Sequence, residues 1–361
     1  MAVVLKLGGF DPADFHVVVS PLSEMVALLH ALAEPDHHLE ARAALEDISA
    51  TLTPVYLADF RTLAPLWARF RCRVFFPSEA RSLGLDEELE RIAEMPLEQF
   101  VRLVAEGVQG SIRRVPPVPE LLADTPGRED FLSYCRARSS IRRELAELLL
   151  DDPEGFRVRL LDFLRATREA FFGREWAHVH DTIRRSAALT RTRLQHADPV
   201  TVMAQLSPSA RHVPELHEIR FDKLQQSSVE LRGRSVIAVP SVRIGPHLTI
   251  KDDADLPVVI HYAVHAAEQT PLEIRTIRER LAALASESRM ELFRHLSAEP
   301  ITTSELSQRL NQSPAQISRS LGVLRDADLL VSERRGKLVY HRVNMDRVIN
   351  LGPDILSTLL R

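Results

Sequence analysis

Gln316 and Arg319 stand three residues apart and share one side of a helix with Ala315, Ser318 and Gly322, while Ile317, Leu321 and Leu324 mark the opposite side. An amide and a guanidinium at that spacing supply paired hydrogen bonds to the edges of adenine and guanine. Small neighbours let such a helix sit deep in a groove about 12 Å wide. Further along, Arg334, Arg335 and Lys337 surround Gly336, and cations at a hairpin tip suit phosphate contacts or minor-groove insertion. Thr303 and Ser313, at the starts of two consecutive helices, complete the candidate set. The ordinary alternative for Gln316 and Arg319 is a solvated helix face. The completeness of the module around them favours contact with a nucleic-acid duplex.

Other chemistry has little to stand on. The chain has no GxSxG, no HExxH, no phosphate-binding loop of the GxxxxGK[ST] kind and no GxGxxG, so no motif marks an active site and the chain is not read as an enzyme. His261 and His265, four apart, and His178 and His180, two apart, lack a third ligand of fixed spacing and read as core or surface histidines. Cys72 and Cys135 are far apart and read as small core residues, which excludes a disulfide framework and thiolate zinc. No metal and no cofactor is expected.

The elements that must hold the contact residues are legible from their caps. Ile274, Ile277, Leu281 and Leu284 define one helix, and Met290, Leu292, Phe293 and Leu296 a second, with Ser288 as its expected cap. Thr302 and Glu305 form a capping box before a short helix ending at Leu310, and Asn311 and Gln312 make the turn. Ser313 caps the next helix, with Pro314 at its first position and Gln316 at its third. Residues 331–343 then read as a hairpin turning at Gly336.

The rest of the chain reads differently. Phe15 to Val19 is strand-like, and Ser20-Pro21 starts a helix carrying Leu22, Met25, Val26 and Leu29. Residues 39–150 are largely helical between proline breaks, and Asp151-Asp152-Pro153 caps a longer helix whose stripe of Phe156, Leu160, Phe163, Leu164, Phe171, Phe172 and Trp176 reads as core. Residues 229–239 and 258–264 are rich in β-branched residues and predict one small sheet. The expected fold class is α+β, predominantly α: an α-rich domain with a small sheet over residues 1–265, a linker at 266–271, and a helical and hairpin domain over 272–361.

Composition agrees with that division. A length of 361 residues exceeds what one core usually organises, and 45% hydrophobic with 27% charged residues is ordinary for a soluble globular chain. No window approaches the roughly 20 apolar residues of a membrane span. The apolar start, MAVVLKLGG, is too short and too weakly basic for a signal peptide, so a cytoplasmic protein is expected. The net charge of −4 conceals an asymmetry, since residues 272–361 hold 14 Lys+Arg against 11 Asp+Glu while the remainder holds 32 against 39. Nucleic acid should meet the tail and not the body.

The segment LAALASESRMELFRHLSAEPITTSELSQRLNQSPAQISRSLGVLRDADLLVSERRGKLVYHRV resembles the winged helix-turn-helix of the ArsR/SmtB family of bacterial regulators, with helix, cap, recognition helix and Arg-Gly-Lys wing in family order. The preceding body, through VSPLSE at 19–24 and LRGRSVIAVPS at 231–241, resembles the long uncharacterised domain found ahead of such winged helices. The resemblance implies a homodimer, paired through residues 272–285 and 345–360, that binds double-stranded DNA at a pseudo-palindromic operator. Val348, Ile349, Leu351, Ile355, Leu356, Leu359 and Leu360 are the apolar residues expected on the partner face. Metal-sensing members carry a cysteine pair near the start of the helix before recognition, or Asp/His ligands on the final helix. Here Thr303-Ser304-Glu305 has no cysteine and the final segment has Asp346 and Asp354 but no histidine, so any effector is a small molecule of another kind. The expectation is a sequence-specific dimeric repressor whose amino-terminal domain modulates DNA binding. The alternative is an enzyme or scaffold body whose winged helix serves protein interaction.

Overall fold

The computed structural model describes residues 2–35, 38, 42–68, 72–111, 114–222, 226–245, 248–264, 274–298, 300–335, 338–349, 351–352 and 354–355. The chain divides into two compact units, residues 1–269 and 270–360. The class is α+β with helix predominating.

The first unit opens with β1 (Ala2–Lys6) and β2 (Phe15–Val17), and the chain then enters α1 (Pro21–Ala33), whose cap is Ser20 accepting from the Ser23 amide at 3.1 Å. A helical layer follows: α2 (Arg42–Thr51), α3 (Pro54–Leu63), α4 (Leu85–Glu94), α5 (Leu97–Gln109), α6 (Val118–Leu122), α7 (Pro126–Arg138) and α8 (Ser140–Asp151). Prolines open α3 and α7 at their first positions, where a missing amide removes no helical bond. Asp152 caps α9 (Pro153–Thr167) by accepting from the Gly155 amide at 2.9 Å. A π turn over Arg168–Phe172 joins α9 to α10 (Gly173–His196), and α11 (Pro199–Ala204) follows. The expected aromatic stripe is core: Trp67 stacks on Phe163 with ring centroids 5.3 Å apart, Tyr56 lies 5.1 Å from Phe163 on the same cluster, and Phe171 and Phe172 are buried. Each such side chain contributes about 1.5–3 kcal/mol through removal from water.

The strands depart from the single small sheet expected. β3 (Ala210–Val213), β4 (Glu218–Asp222), β5 (Ser227–Glu230), β6 (Val236–Ser241), β7 (Thr249–Asp253) and β8 (Leu256–Ala263) join β1 and β2 in two four-stranded sheets, ordered β3-β4-β1-β5 and β2-β6-β8-β7. The apolar stretch at the very start of the chain is a central strand, pairing antiparallel to β4 with Leu5 opposite Ile219. Residues 229–239 are two strands and not one, because Gly233 (φ +63°) turns the chain between β5 and β6. β2, β6 and β8 are parallel and buried on both faces, hence their nearly unbroken apolar runs. Ile237, Val239 and Val259 pack into the helical core, whereas Val236, Ala238, Val258 and Ile260 face the core shared with Leu5, Phe221 and Ile183. Both cysteines are buried thiols, and burial pushes Cys72 up to about 12 and Cys135 up to about 11.

The second unit contains α12 (Ile274–Leu284), α13 (Glu287–Ala298), β9 (Ile301–Thr302), α14 (Thr303–Leu310), α15 (Pro314–Asp326), β10 (Leu330–Arg335), β11 (Leu338–Val343) and α16 (Met345–Ile349). α13 begins one residue before Ser288, which therefore lies inside the first turn and is not the cap. The three strands form a sheet ordered β10-β11-β9. Leu292, Leu296, Leu306, Ile317, Leu321, Leu324 and Leu329 make its core. The expected linker 266–271 lies outside the described residues, as do His265, Gly336, Lys337, Leu356, Leu359 and Leu360.

Candidate nucleic-acid interface

Two reciprocal caps set the pair of helices that carries the contact residues. At the first, the Glu305 amide donates to Thr302 Oγ1 at 3.3 Å, and the Glu305 carboxylate accepts from the Thr302 amide at 2.9 Å and its hydroxyl at 2.8 Å. These bonds hold the Glu305 carboxyl below its ordinary value. Asn311, in the left-handed region at φ +50°, ends α14, and the Ser307 hydroxyl donates to the Gln312 carbonyl at 2.6 Å across the turn. At the second cap the Gln316 amide donates to Ser313 Oγ at 3.3 Å, and Gln316 Oε1 accepts from the Ser313 amide and hydroxyl at 3.2 and 3.0 Å. Pro314 sits at the first position of α15.

α15 is two-sided. Ile317, Leu321 and Leu324 are buried, while Ser313, Ala315, Gln316, Ser318 and Arg319 are exposed. Arg319 Nε donates to the Ala315 carbonyl at 3.3 Å, which lays the guanidinium along the exposed face. A Cβ at Gly322 would meet open space, so the absence of a side chain there leaves that face low.

The wing follows directly. Asp328, at φ +60°, turns the chain out of α15, and β10 pairs antiparallel to β11 with Arg334 opposite Val339 and Arg335 opposite Leu338. Arg334 is exposed near the end of this ladder, and Arg335 is its last residue on β10. The structure thus brings Ser313, Ala315, Gln316, Ser318 and Arg319 onto one helix face and puts Arg334 and Arg335 at the tip of the adjoining hairpin; Lys337 falls outside the described residues.

Thr303 is placed differently from the others. It is half-buried, and its hydroxyl meets His341 Nε2 at 3.3 Å, while Nδ1 of the same ring meets Ser332 Oγ at 2.8 Å. His341 faces inward beside Val343, and burial, with Arg325 nearby, holds its pKa below the ordinary histidine value. This imidazole ties the start of α14 to both strands of the wing. Sequence reading missed it, and the available signal was the period-2 placement of His341 and Val343 on one face of β11.

Arg280 supplies a second hidden brace. It is 1% exposed, and from α12 it donates to the Ala327 carbonyl at 3.3 Å, to Asp354 at 3.0 Å and to Asp328 at 3.5 Å. α12, the turn after α15 and the final segment are held together by one guanidinium.

Of the four histidines in the expected pairs, His178, His180 and His261 lie among the described residues. His178 Nδ1 meets the Arg174 carbonyl at 2.7 Å, His180 lies 3.4 Å from Asp181, and His261 is buried with its ring 5.5 Å from that of Phe76. Among the described residues no three His, Cys, Asp or Glu side chains gather as a metal site, and no helix is long and apolar enough to cross a membrane.

Two capped helices meeting at a short turn, followed by a basic hairpin, define a winged helix-turn-helix of the DNA-binding class, and residues 284–333 match a helix-turn-helix domain. Residues 1–268 match the DUF5937 family, a family of unknown function, and the chain belongs to it. The two matches follow one another in the order that the ArsR/SmtB resemblance implied. No curated protein matches the chain.

Proposed function

We propose that this protein is a sequence-specific transcription regulator that acts by binding and not by catalysis. It works as a homodimeric repressor in the cytoplasm, with the DUF5937 body modulating DNA affinity through a small-molecule effector or added dimer surface. The observation that carries the reading is the division of α15, whose apolar side is wholly consumed by the core while Ser313, Ala315, Gln316, Ser318 and Arg319 stand clear of it. Such a helix enters the major groove, and the wing neutralises phosphates beside it. Exposed Ile274 and Leu281, a heptad apart on α12, and exposed Met345 on α16 support pairing of two copies through these helices.

The test is binding of the full chain to duplex DNA from upstream of its own gene, followed by fluorescence anisotropy across a salt series with a random duplex as competitor. Preference for the cognate duplex, with affinity falling steeply as salt rises, is expected because each neutralised phosphate releases counterions. Equal affinity for both duplexes overturns the reading.

A second reading has one specific observation in its favour. Leu338 and Val339 are exposed at the wing and Val323 is exposed on α15, which suits a winged helix that grips a protein. Binding of that kind responds weakly to salt, so the same titration separates the two.

A further inference from the structure

The amino-terminal body is acidic, yet one of its helices is not. α10 carries Arg174, Arg184, Arg185, Arg191 and Arg193 with His178, His180 and His196, against Glu175 and Asp181 alone. Glu175 is already committed, at 2.6 Å, to Arg243. All five arginines are exposed, and among the described residues none has an acidic partner. Arg191 donates to the Val17 carbonyl at 2.8 Å, Arg174 to the Ala170 carbonyl of the preceding π turn at 3.4 Å, and Arg185 to Thr182 at 3.3 Å.

The contrast with the preceding helix is sharp. On α9, Arg157, Arg159 and Arg165 sit on Glu154, Asp59 and Asp162 at 2.5, 2.7 and 3.0 Å, and Arg168 of the π turn sits on Asp86. Local acids neutralise those cations before any partner arrives. On α10 the positive field is left outward-facing.

The spacing gives the face a shape. At 3.6 residues per turn, Arg174, His178, Arg185 and His196 fall within about 40° of one line, with Arg184 and Arg193 flanking it on either side. From Arg174 to His196 the row runs roughly 33 Å at 1.5 Å per residue, close to one turn of duplex DNA. Arginine is suited to this use because its planar fork meets phosphate oxygens two at a time. A base-reading role does not fit, since the row is straight and runs along the middle of a 24-residue helix, whereas a reading helix presents its first turns to the groove.

We propose that the outer face of α10 is a second, sequence-independent DNA contact, which takes the phosphate backbone flanking the site that α15 reads. This rests on the regulator reading of the winged helix. Duplex DNA is the polyanion favoured because a DNA-binding unit on the same chain raises its effective concentration at the body far above that of any free acidic partner.

The experiment compares two duplexes bound by the full chain: one trimmed to the footprint of the winged helices, and one extended on both sides with arbitrary sequence. For the natural chain, the slope of log affinity against log salt is expected to be steeper on the extended duplex. Each phosphate contact adds about 0.9 to that slope. Replacing Arg174, Arg184, Arg185 and Arg193 together by Gln should reduce the difference by about 2–4 while leaving the trimmed duplex untouched. Replacing the same four by Lys should restore most of it. Identical slopes on the two duplexes for the natural chain overturn the proposal, and so does a Gln variant that loses affinity equally on both. An acidic protein as the true partner would give that first result. Failure of the regulator reading is a different observation: the natural chain would show no preference for its own upstream duplex over random DNA.

Discussion

Gln316 Oε1 accepts from both the backbone amide and the hydroxyl of Ser313, so the side chain best placed to read a base is folded back onto the cap of its own helix. The cap takes both lone pairs of the amide oxygen and leaves only the nitrogen to donate to a base edge, so the paired contact to adenine expected from the sequence requires this cap to open. Order of the helix start and base reading by Gln316 thus compete for one oxygen.

Substitutions at this pair separate the roles. Gln316→Glu keeps an acceptor for Ser313, so unfolding by urea should be unchanged, while a carboxylate on the reading face should lower DNA affinity at least tenfold through repulsion from phosphate. Ser313→Ala removes the acceptor for the Gln316 amide and should destabilise the unit by roughly 1 kcal/mol. Unchanged DNA affinity in Gln316→Glu would place the reading surface elsewhere.

Arg319 and Arg334 should fail in different ways. Arg319→Ala should weaken cognate binding by roughly 1–3 kcal/mol and narrow the gap between cognate and random duplexes, since it removes paired bonds to a base. Arg334→Ala, at the wing, should weaken both duplexes alike and lower the salt slope by about one. Competition titrations against both duplexes measure the two effects, and matching behaviour of the two variants contradicts the assignment.

Arg280 makes a structural prediction without touching DNA. Arg280→Met is nearly isosteric in its stem but abandons the Ala327 carbonyl and two carboxylates, and should lower unfolding free energy by about 2–3 kcal/mol. Because the same guanidinium joins α12 to the turn after α15, the variant should also lose DNA affinity when still folded. Chemical denaturation followed by anisotropy reads both.

How legible these features were in the sequence depended on range. Both capping boxes, the proline at the start of α15 and the hairpin are signals within a few residues of one another, and the structure builds them where the spacing put them. Arg280, His341 and β1 were not legible, because their meaning lies in partners far along the chain: Arg280 with Asp354, His341 with Thr303, and Leu5 with Ile219. β3 and β5 add a second reason. Ala210-Arg-His-Val213 is short and half polar, and Ser227-Ser-Val-Glu230 is short and polar at three of four positions, so no alternation marks them until neighbouring strands supply a face.

Stability should depend on pH through two buried carboxyls of the body. Burial pushes Glu24 up to about 7, against bonds from Ser241 and the Arg243 amide that pull it down. Burial also pushes Glu88 up to about 8, although the Leu22 amide donates to it at 2.7 Å. From their ordinary value of 4.5 up to these values, the folded chain holds protons that the unfolded chain has released. The stability from these groups is therefore fully present below pH 4.5 and is lost as pH rises through the window. Glu24→Gln and Glu88→Gln should raise the melting temperature at the alkaline end and leave it unchanged at the acidic end, as calorimetry at the two limits would report. A gain at both ends would assign the effect to packing instead.

The π turn at Arg168–Phe172 fixes the phase of everything after it. It holds one residue more than the α turns around it, and a single residue corresponds to about 100° of rotation. Ahead of it, Phe156, Leu160 and Phe163 point into the helical core; beyond it, Ile183 and Ala187 point into the core between the sheets, with Trp176 packed against both. A one-residue deletion here would let the wide turn close to an ordinary α turn and leave the following 24-residue helix facing as it does, with Ile183 and Ala187 still inward. The same deletion a few residues later, inside α10, has no spare residue to draw on and would rotate the remainder by about 100°, swinging charge toward the interior and aliphatic carbon toward water. The turn is thus a reserve of one residue, placed where two cores must be served by consecutive helices.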